Sequence, residues 1–90
     1  MNLVDSSGWL EYFANGRNAG FFAPAIEDVE KLIVPTICIL EVFKRVLQQW
    51  GERDALLAVA AMRQAQVVDL DSRLALLAAR LSAELKLSIG

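Results

Sequence analysis

The sequence predicts an α/β fold, a mainly parallel sheet covered by helices. Three observations carry that expectation. Short runs of apolar or β-branched residues alternate with longer stretches of helical periodicity, in the order strand, helices, strand, helices, strand, helix. Each short run leads into hydroxyl or acidic residues suited to begin a helix. Parallel strands need crossover connections, and the intervening helices supply them.

Residues 2–5 read as an extended run, and Ser6, Ser7 and Gly8 as the start of a helix, because hydroxyls accept from its unpaired first amides. That helix would turn Trp9, Tyr12 and Phe13 inward and stop around Asn15-Gly16. A loop through Gly20 follows, and Pro24 is expected to open a second helix running to about Leu32, since proline suits a first turn. Val34-Pro35 reads as a short strand, with Thr36 as N-cap of a helix in which Leu40, Phe43, Leu47 and Trp50 recur at helical spacing until Gly51 ends it. Residues 54–65 form another helix, and residues 66–70 a third strand containing β-branched Val67 and Val68. Asp71 or Ser72 caps a last helix with an apolar stripe of Leu74, Leu77, Ala78, Leu81 and Leu85. Internal repeats, low-complexity segments and a dividing linker are all absent, so the 90 residues are read as one domain.

Composition excludes several functions. There is no histidine, which removes Ser-His-acid and Cys-His mechanisms, histidine bases and histidine metal ligands. The single cysteine, Cys38, allows neither an internal disulfide nor a cysteine-rich zinc site, and fits a reducing compartment. A net charge of −2 leaves nucleic-acid binding to local basic patches. No apolar run approaches the roughly 20 residues that span a bilayer, and the N-terminus has no signal-like pattern, so the expectation is a cytoplasmic protein away from membranes. An apolar content of 56% and a mean hydropathy of +0.39 are high for a small domain and point to surface covered by another chain or by a further part of the fold.

The candidate chemistry therefore rests on carboxylates. In open α/β sheets the functional crevice lies beyond the carboxyl ends of the strands. Asp5 ends the first strand and Glu41 lies about a turn into the helix after the second, so neighbouring strands would bring the two acids together. Converging like charges require a cation or a proton between them. Mg²⁺ suits such a site because it takes oxygen ligands and keeps several waters, and a bound metal can activate water for phosphodiester hydrolysis. Ser7 could orient such a water. Each residue also has a plainer reading: Asp5 as a helix cap, and Glu41 as partner of Arg45 in a surface pair worth roughly 0.2–0.5 kcal/mol.

The stretch LVDSSGWLEYF at residues 3–13 resembles the opening of a PIN domain, the fold of the VapC-type toxins of bacterial toxin-antitoxin pairs. VPTICILEVFKRV at residues 34–46 resembles that family's second motif, and the chain from Val67 onward its third strand and following helix. On this resemblance Asp5 corresponds to the first acid, Ser7 to the small polar residue two positions on, and Glu41 to the glutamate after a strand, a proline and a threonine. The resemblance implies a PIN-like three-layer α/β/α fold and an endoribonuclease dependent on Mg²⁺ or Mn²⁺. It further implies inhibition by a cognate VapB-like antitoxin and homodimers formed through helices. The family's third acid follows a segment like LKLSIG, where this sequence reaches Gly90. The resemblance therefore covers the N-terminal portion of such a domain, with an incomplete acidic site and impaired activity.

Two other functions are open at this level. The same fold could be a non-catalytic interaction or dimerisation module. Aspartyl-phosphate chemistry at Asp5 is weaker, because a second aspartate is expected where Ser7 stands. Core packing is favoured for Trp9 and Phe13, whereas Phe21-Phe22, placed in a loop, are expected to serve an interface. Lys44, Arg45 and Arg53 could guide RNA or simply form a solvated face, and Glu84 is assigned to a solvated face with Arg73 and Arg80.

Overall fold

In the computed structural model, which describes residues 1–69, 71–73, 75–77, 79–80 and 83, three strands form a parallel sheet. They are β1 (Asn2–Leu3), β2 (Leu32–Pro35) and β3 (Gln66–Val68), in spatial order β1-β2-β3. Asn2 and Leu3 pair with Leu32 and Ile33, while Ile33, Val34 and Pro35 pair with Gln66, Val67 and Val68. The central strand is the most buried, with Leu32, Val34 and Pro35 in the interior, as a strand covered on both faces requires. All three carboxyl ends open on the same rim.

The crossovers are α1 (Ser6–Phe13) and α2 (Ala19–Glu27) between β1 and β2, and α3 (Thr36–Trp50) and α4 (Glu52–Met62) between β2 and β3. Residues 72–73, 75–77, 79–80 and 83 are helical, and the Ala75 N–H donates to the Asp71 carbonyl at 2.8 Å. Within the expected last stripe, Leu77 is 40% exposed. Leu74, Ala78, Leu81 and Leu85 lie outside the described residues, as do Leu70 and Glu84.

The second helix departs from its expected start. It begins at Ala19 and holds Pro24 inside. Interior proline removes one backbone hydrogen bond at a cost of about 3 kcal/mol, but Ala19, Phe22 and Ile26 bury on one face of this helix and offset that loss. Phe22 therefore belongs to the core, while Phe21, its edge-to-face neighbour, is 39% exposed.

The phase of α3 also differs from the stripe read in the sequence. Its buried residues are Cys38, Val42 and Val46, with Ile39 and Phe43 packed partly against them; Leu40, Leu47 and Trp50 face outward. The reason is local. Pro35 is followed at once by helical Thr36, so the strand sets the rotation of the helix. The face so presented is compact and packs against Ala55, Ala58 and Met62 of α4. Between the two helices Gly51 has φ 92° and ψ 178°, a conformation open essentially to glycine alone, which lets α4 begin at Glu52 rather than Asp54.

Trp9 completes the core from α1, 1% exposed and stacked on Phe13 with ring centroids 5.6 Å apart. Tyr12 lies at the edge of Phe13 and donates its hydroxyl to Glu27 at 3.1 Å, and burial and that carboxylate together push the phenol's pKa up. The core of the described residues contains no buried polar or charged side chain. Among those residues no helix is long and apolar enough to cross a membrane.

Candidate active site

Asp5 follows β1 in extended conformation, at φ −74° and ψ 172°, and is the N-cap of α1. Its Oδ1 accepts from the Gly8 N–H at 3.0 Å and from the Ser7 hydroxyl at 2.9 Å. The cap anticipated for this residue is therefore real. It also holds the carboxylate at the strand end in one orientation, because two donors converge on a single oxygen. Gly8 is required for this turn: a Cβ there would stand 2.5 Å from Val4 Cγ1 and 2.8 Å from Phe22 Cε1.

Glu41 is exposed on the second turn of α3. Its Oε2 accepts the Ser6 hydroxyl at 3.2 Å, which ties the first turn of α1 to α3 directly. Thus Ser6 reaches Glu41 while its neighbour Ser7 reaches Asp5. The Ser7 O–H is engaged as donor to Asp5, and the oxygen's lone pairs can accept from a water.

Cys38 lies beneath this rim, buried in the core cluster. Its thiol pKa is pushed up to about 11, first by burial and then by the negative charges of Glu41 and Asp5, while the Ser6 backbone N–H opposes the rise. Both carboxylates thus bear on the same thiol. Thr36, expected as a cap, is instead the first helical residue after Pro35, and its hydroxyl donates to Asp69 Oδ1 at 3.1 Å.

Asp69 was not among the candidates read from the sequence. It directly follows β3, as Asp5 closely follows β1, so the rule that placed Asp5 at the rim would have found it. Ser6 was likewise read only as a cap.

Two carboxylates and a hydroxyl fit Mg²⁺ or Mn²⁺, ions that fill their remaining positions with water or phosphate oxygens. Among the described residues no three His, Cys, Asp or Glu side chains gather into a fuller cage.

A parallel sheet covered by helices, with Asp5 and Asp69 following the carboxyl ends of β1 and β3, defines an open α/β domain whose functional crevice lies at that rim. Within that class the family model for the PIN domain matches residues 3–90, and the chain belongs to the PIN domain family. The family places the chain in a nuclease superfamily whose members generally use divalent metals. No curated protein and no solved structure matches the chain.

Proposed function

We propose that this chain is a divalent-metal-dependent endoribonuclease of the VapC type, neutralised by a VapB-like antitoxin. The observation that carries the reading is the Ser6 to Glu41 hydrogen bond, which draws the acid of α3 toward the strand end that bears Asp5. Asp5 and Glu41 would hold Mg²⁺ or Mn²⁺, which when bound supplies Lewis-acid activation of water and charge stabilisation at phosphate. Ser7 accepts a hydrogen bond from the attacking water. The Gly8 N–H and Ser7 hydroxyl keep the Asp5 carboxylate in place. The proposal includes a cytoplasmic setting and a homodimer formed through helices; exposed Leu40, Leu56 and Leu57 on α3 and α4 support the dimer.

A second reading is a PIN-derived interaction module. Its support is that no three acidic side chains gather into one metal cage among the described residues, together with those exposed leucines. RNA cleavage with Mn²⁺ decides between the two. Metal-dependent cleavage abolished by Glu41→Gln supports the nuclease. Absence of cleavage supports the module, and cleavage unchanged in the variant removes Glu41 from the catalytic site.

A further inference from the structure

A cleft of about 300 Å³ runs from Ser7 along the groove between α1 and the C-terminal half of α3. Its walls are Ser7, Leu10, Glu11 and Ala14 on one side and Arg45, Gln49 and Trp50 on the other. Trp50 also lines a neighbouring hollow of about 400 Å³ beside Asp54 and Leu57, so it borders two concavities. The ring is 48% exposed, unusual for the largest apolar side chain, and α3 buries Val46 rather than Trp50.

Glu41, Arg45 and Gln49 recur every four residues on α3 and therefore share one face, each step advancing roughly 6 Å along the axis. This is comparable to the distance between successive phosphates of an extended single strand. The face begins with an acid at the rim, continues with a guanidinium and ends with an amide beside an exposed aromatic ring. Glu11, the one acid in the cleft, already accepts from the Asn18 backbone N–H at 3.1 Å.

We propose that this cleft is a single-stranded RNA subsite adjoining the acidic rim, in which a nucleobase stacks on Trp50, Arg45 holds the neighbouring phosphate and Gln49 meets the base edge. The assignment rests on the ribonuclease reading, and it follows from three features. The cleft is continuous with the rim through Ser7. A guanidinium complements phosphate. An exposed aromatic beside a cation stacks bases whatever their sequence.

The test uses a mixed-sequence 2′-O-methyl hexanucleotide in chelator, so that binding is read without metal or cleavage. Trp9 is 1% exposed, so quenching of tryptophan emission reports Trp50. The oligonucleotide should quench wild-type emission saturably. Binding of an end-labelled oligonucleotide, followed by anisotropy, should weaken roughly ten-fold or more in Trp50→Leu and stay close to wild type in Trp50→Phe. Arg45→Gln should reduce the salt dependence of log K by about 0.7. Undiminished binding by Trp50→Leu overturns the subsite. So does wild-type emission untouched by the oligonucleotide, the outcome expected if the cleft takes a protein segment instead. Oligonucleotide binding through Trp50 without any Mn²⁺-dependent cleavage supports the subsite and removes the ribonuclease. Cleavage that needs Glu41 but is indifferent to Trp50→Leu removes the subsite alone.

Discussion

The Ser6 hydroxyl donates to the Glu41 carboxylate at 3.2 Å across a sequence separation of 35 residues. This contact joins the start of α1, which carries the Asp5 cap, to the helix that follows β2. Because the bond is solvent-exposed, its net value to stability is small, about 0.5–1 kcal/mol. Its effect on the placement of Glu41 is larger. Ser6→Ala should leave the urea midpoint nearly unchanged while lowering the rate of RNA cleavage several-fold.

Asp5 combines two roles that substitution can separate. Asparagine caps a helix about as well as aspartate, whereas alanine in place of a capping residue costs about 0.5–2 kcal/mol. Asp5→Asn is therefore expected to unfold with the wild-type midpoint and yet to be inactive. Asp5→Ala should be both inactive and less stable. Paired urea melts and cleavage assays check both outcomes.

Cys38 reports on the charge above it. Its thiol pKa is pushed up to about 11 by burial and by Glu41 and Asp5, from an ordinary 9.0. Between those values the folded chain retains a proton that the unfolded chain has released, so stability falls as pH rises through this window. Cys38→Ala should flatten that fall. Glu41→Gln should lower the thiol pKa, with Asp5→Asn producing a smaller drop in the same direction, as followed by thiolate ultraviolet absorbance. A thiol indifferent to both substitutions would mean that the acids do not face it.

Gly8 allows α1 to approach β1. Alanine normally improves a helix by about 0.5–1 kcal/mol over glycine, but here its Cβ would meet buried Val4 and Phe22 at 2.5 and 2.8 Å. Overpacking of that kind costs about 1–3 kcal/mol. The expected result of Gly8→Ala is a net loss of about 1–2 kcal/mol in thermal or urea unfolding.

Local signals were readable where a single physical rule governs the chain. The Asp5-Ser6-Ser7-Gly8 turn, the strand ending at Pro35 and the break at Gly51 each follow from capping or backbone restriction, and each stands where the residues indicate. Where two rules compete, the sequence is ambiguous. Pro24 favours a helix start, but burial of Ala19, Phe22 and Ile26 prevails. On α3, Leu40, Leu47 and Trp50 and the set Cys38, Val42 and Val46 both have helical spacing; only packing on α4 selects the second. Asp5 and Glu41 were legible as acids near strand ends. The Ser6 link between α1 and α3, and the Thr36 to Asp69 contact, depend on tertiary proximity that no local pattern encodes.

Direct Mn²⁺ binding, followed by loss of the free ion's paramagnetic resonance signal on titration, tests most closely whether Asp5 and Glu41 act as one site. Asp5→Asn and Glu41→Gln preserve the cap and the Ser6 contact while removing one charge each. The two variants are expected to lose binding alike, with the wild type retaining it. Binding undiminished in either variant would contradict a shared metal site at the rim.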